Sequence, residues 1–114
     1  NADGWPDLAA SRNDQPALAF LHRGLAEHRP LRIVLQGSPG NPTSIGARLT
    51  LTLTDGTTRT AEVVAASGYY SQSSSAVFFA LPTGPRMLEV RWPDGKTSTH
   101  ALKTGDSANL VIAP

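Results

Sequence analysis

The chain has 114 residues, with ten Lys/Arg against nine Asp/Glu and no cysteine. This length fits one domain with a single modest core. The missing cysteines exclude a disulfide framework, a thiolate zinc site and a Cys nucleophile. Eight of the ten basic residues are Arg, scattered with no basic run longer than two, so the electrostatic footprint of a nucleic-acid binder is missing. No apolar run approaches the ~20 residues that cross a bilayer, and no signal peptide is visible. The chain opens on Asn1 without an initiator Met, so a fragment of a longer protein is expected.

In chain order, residues 1–16 are rich in Asp, Asn, Gly and Pro and read as loops. Residues 17–28 leave two readings open. Leu18, Leu21 and Leu25 suit a short helix, whereas Ala17–Leu21 also suits a strand followed by a loop at Gly24. Leu31, Ile33 and Leu35 then share one face of a strand. Gly37–Ser44, with two Pro and two Gly, must be a loop. Arg48–Thr54 alternates strictly, Leu49, Leu51 and Leu53 against Thr50, Thr52 and Thr54, the pattern of a half-buried strand. Asp55-Gly56 predicts a two-residue hairpin turn and a return strand over Thr57–Ala65.

Val77-Phe78-Phe79 reads as a buried central strand. Met87–Trp92 alternates Leu88, Val90 and Trp92 against Glu89 and Arg91. Pro93-Asp94-Gly95 supplies a tight turn, Lys96–Leu102 returns, and Leu110-Val111-Ile112 forms a last strand. About seven short strands predict an all-β fold, an antiparallel β-sandwich or small barrel. The expected core is Ile33, Leu35, Leu49, Leu51, Leu53, Val63, Phe79, Leu88, Val90, Trp92 and Ile112.

Three blocks carry a family resemblance: Ile45-Gly46-Ala47-Arg48, Ser67-Gly68-Tyr69-Tyr70-Ser71-Gln72 and Val90-Arg91-Trp92-Pro93-Asp94-Gly95. In this order and spacing they resemble the ASPIC/UnbV domain, across roughly residues 31–112. Phe79-Ala80-Leu81-Pro82 departs from the Phe-Gly-Leu-Gly common in that family, and Pro82 removes a backbone donor there. The segment Asp3-Gly4-Trp5-Pro6-Asp7-Leu8, with Asn13, Pro16 and Ala17–Leu21, resembles the tail of an FG-GAP (integrin-α-like) repeat. The resemblance divides the chain into a repeat tail and linker over 1–30 and an ASPIC/UnbV-like β domain over 31–114. It implies a secreted, periplasmic or cell-surface location, at the C-terminal end of a parent that carries FG-GAP repeats.

The repeat's loop commonly binds calcium in that family. Asp3, Asp7 and the Trp5 carbonyl are its counterparts here, but the leading Asp would lie upstream of Asp3. Calcium needs six or more oxygens. The expectation is no cofactor in this fragment and calcium in the complete repeat.

Ser67–Ser75 sets Tyr69 and Tyr70 beside Ser71, Gln72 and further Ser. Paired rings with orienting polar groups suit a sugar- or peptide-binding surface. The alternative packs one Tyr in the core and turns the Ser hydroxyls to their own loop. Arg48 and Arg91 lie beside the hairpin turns as further ligand candidates. Arg91 is expected to pair with Glu62 or Glu89 across strands. His22, His28 and His100 lack metal-ligand spacing. No nucleophile elbow or phosphate-cradling loop is present, so no enzyme is expected.

The expected function is therefore a non-catalytic extracellular binding or adhesion module for glycan or protein. The alternative is a structural cap packed on neighbouring propeller repeats. Neither nucleic-acid binding nor membrane insertion is expected.

Overall fold

The computed structural model describes residues 3–65, 74–103 and 109–114. No described residue is helical, and nine strands are formed: β1 (Leu8–Arg12), β2 (Gln15–Phe20), β3 (Arg29–Leu35), β4 (Arg48–Leu53), β5 (Thr58–Glu62), β6 (Val77–Leu81), β7 (Pro85–Arg91), β8 (Thr97–Ala101) and β9 (Asn109–Ile112). They make a β1-β2 ribbon, a three-stranded sheet in the order β6-β3-β9 and a four-stranded sheet in the order β5-β4-β7-β8. The fold is all-β and sandwich-like.

Period-two patterning decides which face of each strand is buried. Along β4, Leu49, Leu51 and Leu53 are fully buried while Thr50 and Thr52 stay half-exposed. The neighbouring β7 supplies Leu88 and Val90, directly opposite Leu51 and Leu49. From the other sheet come Leu31, Ile33 and Leu35 of β3, Val77, Phe79 and Leu81 of β6, and Ile112 of β9, all in one buried cluster with the first set. Every residue of the expected core is buried. Non-directional burial of these branched side chains is what holds the two sheets together.

The two long hairpins share one loop geometry, which corrects the two-residue turn expected at Asp55-Gly56. Gly56 N–H donates to Leu53 C=O and Leu53 N–H to Thr57 C=O, so the loop holds three residues. Gly95 N–H to Trp92 C=O and Trp92 N–H to Lys96 C=O repeat that arrangement. The third loop residue sits at φ 84° in Gly56 and 85° in Gly95, a left-handed conformation glycine adopts without a Cβ penalty. The preceding Asp locks each loop: the Asp55 carboxylate accepts from the Thr57 N–H and hydroxyl, and Asp94 from the Lys96 N–H.

Three other expectations are corrected. Residues 8–16, expected as loop, instead open the β1-β2 hairpin, which turns at Asp14 with φ 52°, and of the two readings for residues 17–28 the strand forms, as part of β2, while the helix does not. The hairpin's strand residues are exposed except the half-buried Ala10, so no inside–outside alternation marks them in the sequence. Val77–Phe79, expected as a buried central strand, belong to β6, which buries Val77, Phe79 and Leu81 on one face but, among the described residues, pairs with β3 alone at the edge of its sheet. It ends at Leu81, before Pro82, which cannot donate to a ladder. The closing strand β9 runs parallel to β3, with Leu35 beside Ile112, so the smaller sheet is mixed rather than antiparallel.

Candidate functional site

Two of the three sequence blocks converge at one end of the four-stranded sheet. Gly46 N–H donates to Val63 C=O and Val63 N–H to Ala47 C=O, which carries β4's pairing with β5 past Arg48. Arg48 stands directly opposite Glu62 on one side and Arg91 on the other. Its Nε lies 3.9 Å from Glu62 Oε1, with both side chains more than half exposed, a pair worth little on its own. The expected pairing of Arg91 with Glu62 or Glu89 does not form among the described residues. Glu62 is taken by Arg48, and Glu89 sits one row further along, opposite Thr50. The two arginines are like charges held face to face, which the ladder alone disfavours.

Beside them lies a shallow depression of about 220 Å³ walled by Arg48, Arg91, Glu62, Pro93 and the backbones of Gly46 and Gly95. Gly46 (φ 90°) and Gly95 leave its rim bare. A Cβ on Gly95 would meet nothing, and one on Gly46 only Pro93 at 4.0 Å.

Across Pro93 lies a second depression, of about 350 Å³, bounded by Ser38, Asn41, Ser44, Trp92 and Asp94. Its wall is the loop 37–46, which is tightly built. The Asn41 side chain bridges both backbone groups of Ile45, accepting from its N–H and donating to its C=O, each at 2.9 Å. Ser44 is buried, holds φ 55°, and its hydroxyl has no hydrogen-bond partner among the described residues. A strained non-glycine residue with an orphaned buried hydroxyl is costly to keep, and such features gather at functional sites.

Behind this end, the buried Trp92 donates its indole N–H to Ser98 Oγ at 2.8 Å, and Ser98 Oγ lies 3.0 Å from His100 Nε2. Neither polar residue was a sequence candidate, yet a signal existed. Both fall on the inward positions of β8, opposite Val90 and Leu88, where apolar residues are the rule.

The calcium candidates Asp3, Trp5 and Asp7 lie together near the N-terminus with His22. Asp3 Oδ1 accepts from Trp5 N–H and Asp7 Oδ1 from His22 N–H, both at 2.9 Å. The Trp5 and His22 rings stack at 4.9 Å, and His22 Nδ1 accepts from Gly24 N–H. The His22 bond is the main reason the Asp7 carboxyl is held below its ordinary range. No cluster of three or more His, Cys, Asp or Glu exists among the described residues. Two carboxylates fall short of a calcium shell, so the residues present do not fit the ion by themselves. Tyr69, Tyr70, Ser71 and Gln72 lie outside the described residues.

Taken together, the described residues form a small all-β, sandwich-like domain with two shallow depressions side by side at one end. Residues 37–112 match the family model described as ASPIC and UnbV, and the chain belongs to that family. No curated protein matches it significantly. No helix of the described residues is long and apolar enough to cross a membrane.

Proposed function

We propose that this chain is a non-catalytic extracellular binding or adhesion module, at the C-terminal end of a protein with FG-GAP repeats, which recognises glycan or protein. The carrying observation is the meeting of Ile45–Arg48 and Val90–Gly95 at one exposed end, with Arg48 opposite Arg91. An arrangement that costs the fold electrostatic energy makes sense where a ligand offsets it. The test is an array of glycans and matrix proteins probed with the parent protein. Binding that fails when Arg48 and Arg91 are both replaced by Ala supports the reading; a parent that binds nothing sinks it.

One observation favours a second reading, the structural cap. Leu8 is paired with Phe20 and Ala10 with Leu18, which puts Leu8, Leu18 and Phe20 on one face of the β1-β2 ribbon, all exposed. A two-stranded ribbon is marginal in water without a surface to pack on. Preceding propeller-like repeats would supply that surface, and any calcium would belong to the completed repeat. Replacing Leu18 and Phe20 by Ser would change the stability of this chain by no more than about 0.5 kcal/mol. It would measurably destabilise a parent that includes the preceding repeats. An unaffected parent rules the cap out.

A further inference from the structure

We propose that the end of the four-stranded sheet binds the carboxylate or sulfate group of an acidic glycan, an assignment that rests on the binding-module reading above. Arg48 and Arg91 would hold the oxyanion.

The first argument is charge. Arg91 has no ion-pair partner among the described residues, and Arg48 has one loose contact with Glu62. Both arginines line the same depression from opposed ladder positions, so a single oxyanion there gains charge-assisted, fork-shaped hydrogen bonds from them.

The second argument is access. At Gly46 and Gly95 the rim is bare backbone, so a ligand crossing it there meets no side chain, and Glu62, the one carboxylate lining the depression among the described residues, faces Arg48.

The third argument is the surface leading away from the pair. Thr97 lies opposite Arg91, and Thr60, Thr50, Glu89 and Thr99 make the next row across the sheet. Thr hydroxyls both donate and accept, as the hydroxyls of a sugar chain require. Among the described residues these two rows carry hydroxyl and charged side chains rather than aromatic rings. On the other side of Pro93, Ser38 and Asp94 offer further polar groups within the second depression. Arg clusters also recognise acidic peptides; the threonine hydroxyls that flank Glu89 on the row leading away from the pair favour the hydroxyl-rich chain of an acidic polysaccharide, and polyglutamate tests the peptide.

The experiment measures binding of the 114-residue chain to immobilised polygalacturonate, dextran sulfate, unmodified dextran and polyglutamate. Arg48→Ala, Arg91→Ala and Arg91→Lys are run alongside. Polygalacturonate or dextran sulfate should bind, and whichever does tells carboxylate from sulfate. Each Ala variant should lose about tenfold or more in affinity, with Arg91→Lys in between, because it keeps the charge and loses the fork. Binding should weaken as salt rises.

Melting temperature separates ligand recognition from a structural role. Arg91 is exposed and has no ion-pair partner among the described residues, so Arg91→Ala should melt at about the wild-type temperature while binding falls. Loss of stability together with binding would overturn the assignment. So would equal binding of wild type and variants, or comparable binding to polyglutamate, which would point to peptide. Dextran bound as tightly as the acidic polymers would end the acidic-glycan assignment and leave the binding-module reading standing. No binding to any of the four, nor to a glycan and matrix-protein array, would remove both.

Discussion

Trp92 and Ser98 face each other across the second hairpin, the indole N–H donating to the hydroxyl at 2.8 Å. This bond lets the largest side chain at that end stay almost fully buried while its one polar atom is satisfied. Ser98→Ala should leave the indole N–H without a partner, at a cost of about 1–3 kcal/mol. Ser98→Thr, which keeps the hydroxyl, should cost less. Urea unfolding followed by tryptophan fluorescence compares the two. Equal midpoints for Ser98→Ala and wild type would show that the bond contributes nothing.

The centre of the sandwich should tolerate truncation far less. Leu51 is fully buried between Leu88 of β7 and the β5 strand. Leu51→Ala removes buried methyl groups and leaves a cavity, an expected loss of about 2–5 kcal/mol. Against the 5–15 kcal/mol of a typical domain, this variant should show a clearly lower denaturation midpoint.

The loop 37–46 offers a paired test on two glycines. A Cβ on Gly37 would collide with the Asn41 carbonyl oxygen and come within 2.6 Å of Ser44 Oγ, while one on Gly40 would meet nothing within 4 Å. Gly37→Ala should therefore cost about 1–3 kcal/mol, as overpacking does. Gly40→Ala should fall within about 0.5 kcal/mol of wild type. Thermal melts of both suffice, and similar values would mean the loop is looser than its hydrogen bonds imply.

Acid should weaken both hairpins. The Thr57 hydroxyl and N–H hold the Asp55 carboxyl below its ordinary value of 3.8, and the Lys96 N–H does the same for Asp94. A carboxyl with a lowered folded-state pKa is protonated more readily in the unfolded chain. Its contribution is present in full above about pH 4 and disappears as pH falls through the lowered folded value. Asp55→Asn should flatten part of that dependence. Carboxyl titration followed by NMR between pH 2 and 6 reads the shift directly, and an ordinary value at Asp55 would contradict the geometry.

Strands that bury one face announced themselves in the sequence. Leu49–Leu53 and Leu88–Trp92 alternate because every second residue must enter the core, and the Asp-Gly pairs mark where the chain reverses. The β1-β2 ribbon signalled itself only in part: Ala17–Leu21 suited a strand as well as a helix, and Leu8–Arg12 read as loop, because Leu8, Leu18 and Phe20 are all exposed. Strand neighbours were silent. Nothing in Leu110-Val111-Ile112 says that it runs parallel to β3, since pairing across so many residues is settled by packing rather than local pattern. The site followed the same division. Arg48 and Arg91 were legible as strand residues beside turns, but their direct opposition depends on the β4-β7 register. The strain at Ser44 is a property of the folded loop alone.

The parallel seating of β9 against β3 has a consequence for synthesis. Residues 29–35 meet one of their two neighbours only after some seventy more residues have been made. Until Asn109–Ile112 emerge, that side of β3 is a bare row of amides and carbonyls, ready to join any passing strand. Loss of Asn109–Ile112 should therefore leave that edge of β3 open in the finished chain and raise self-association, which light scattering would read.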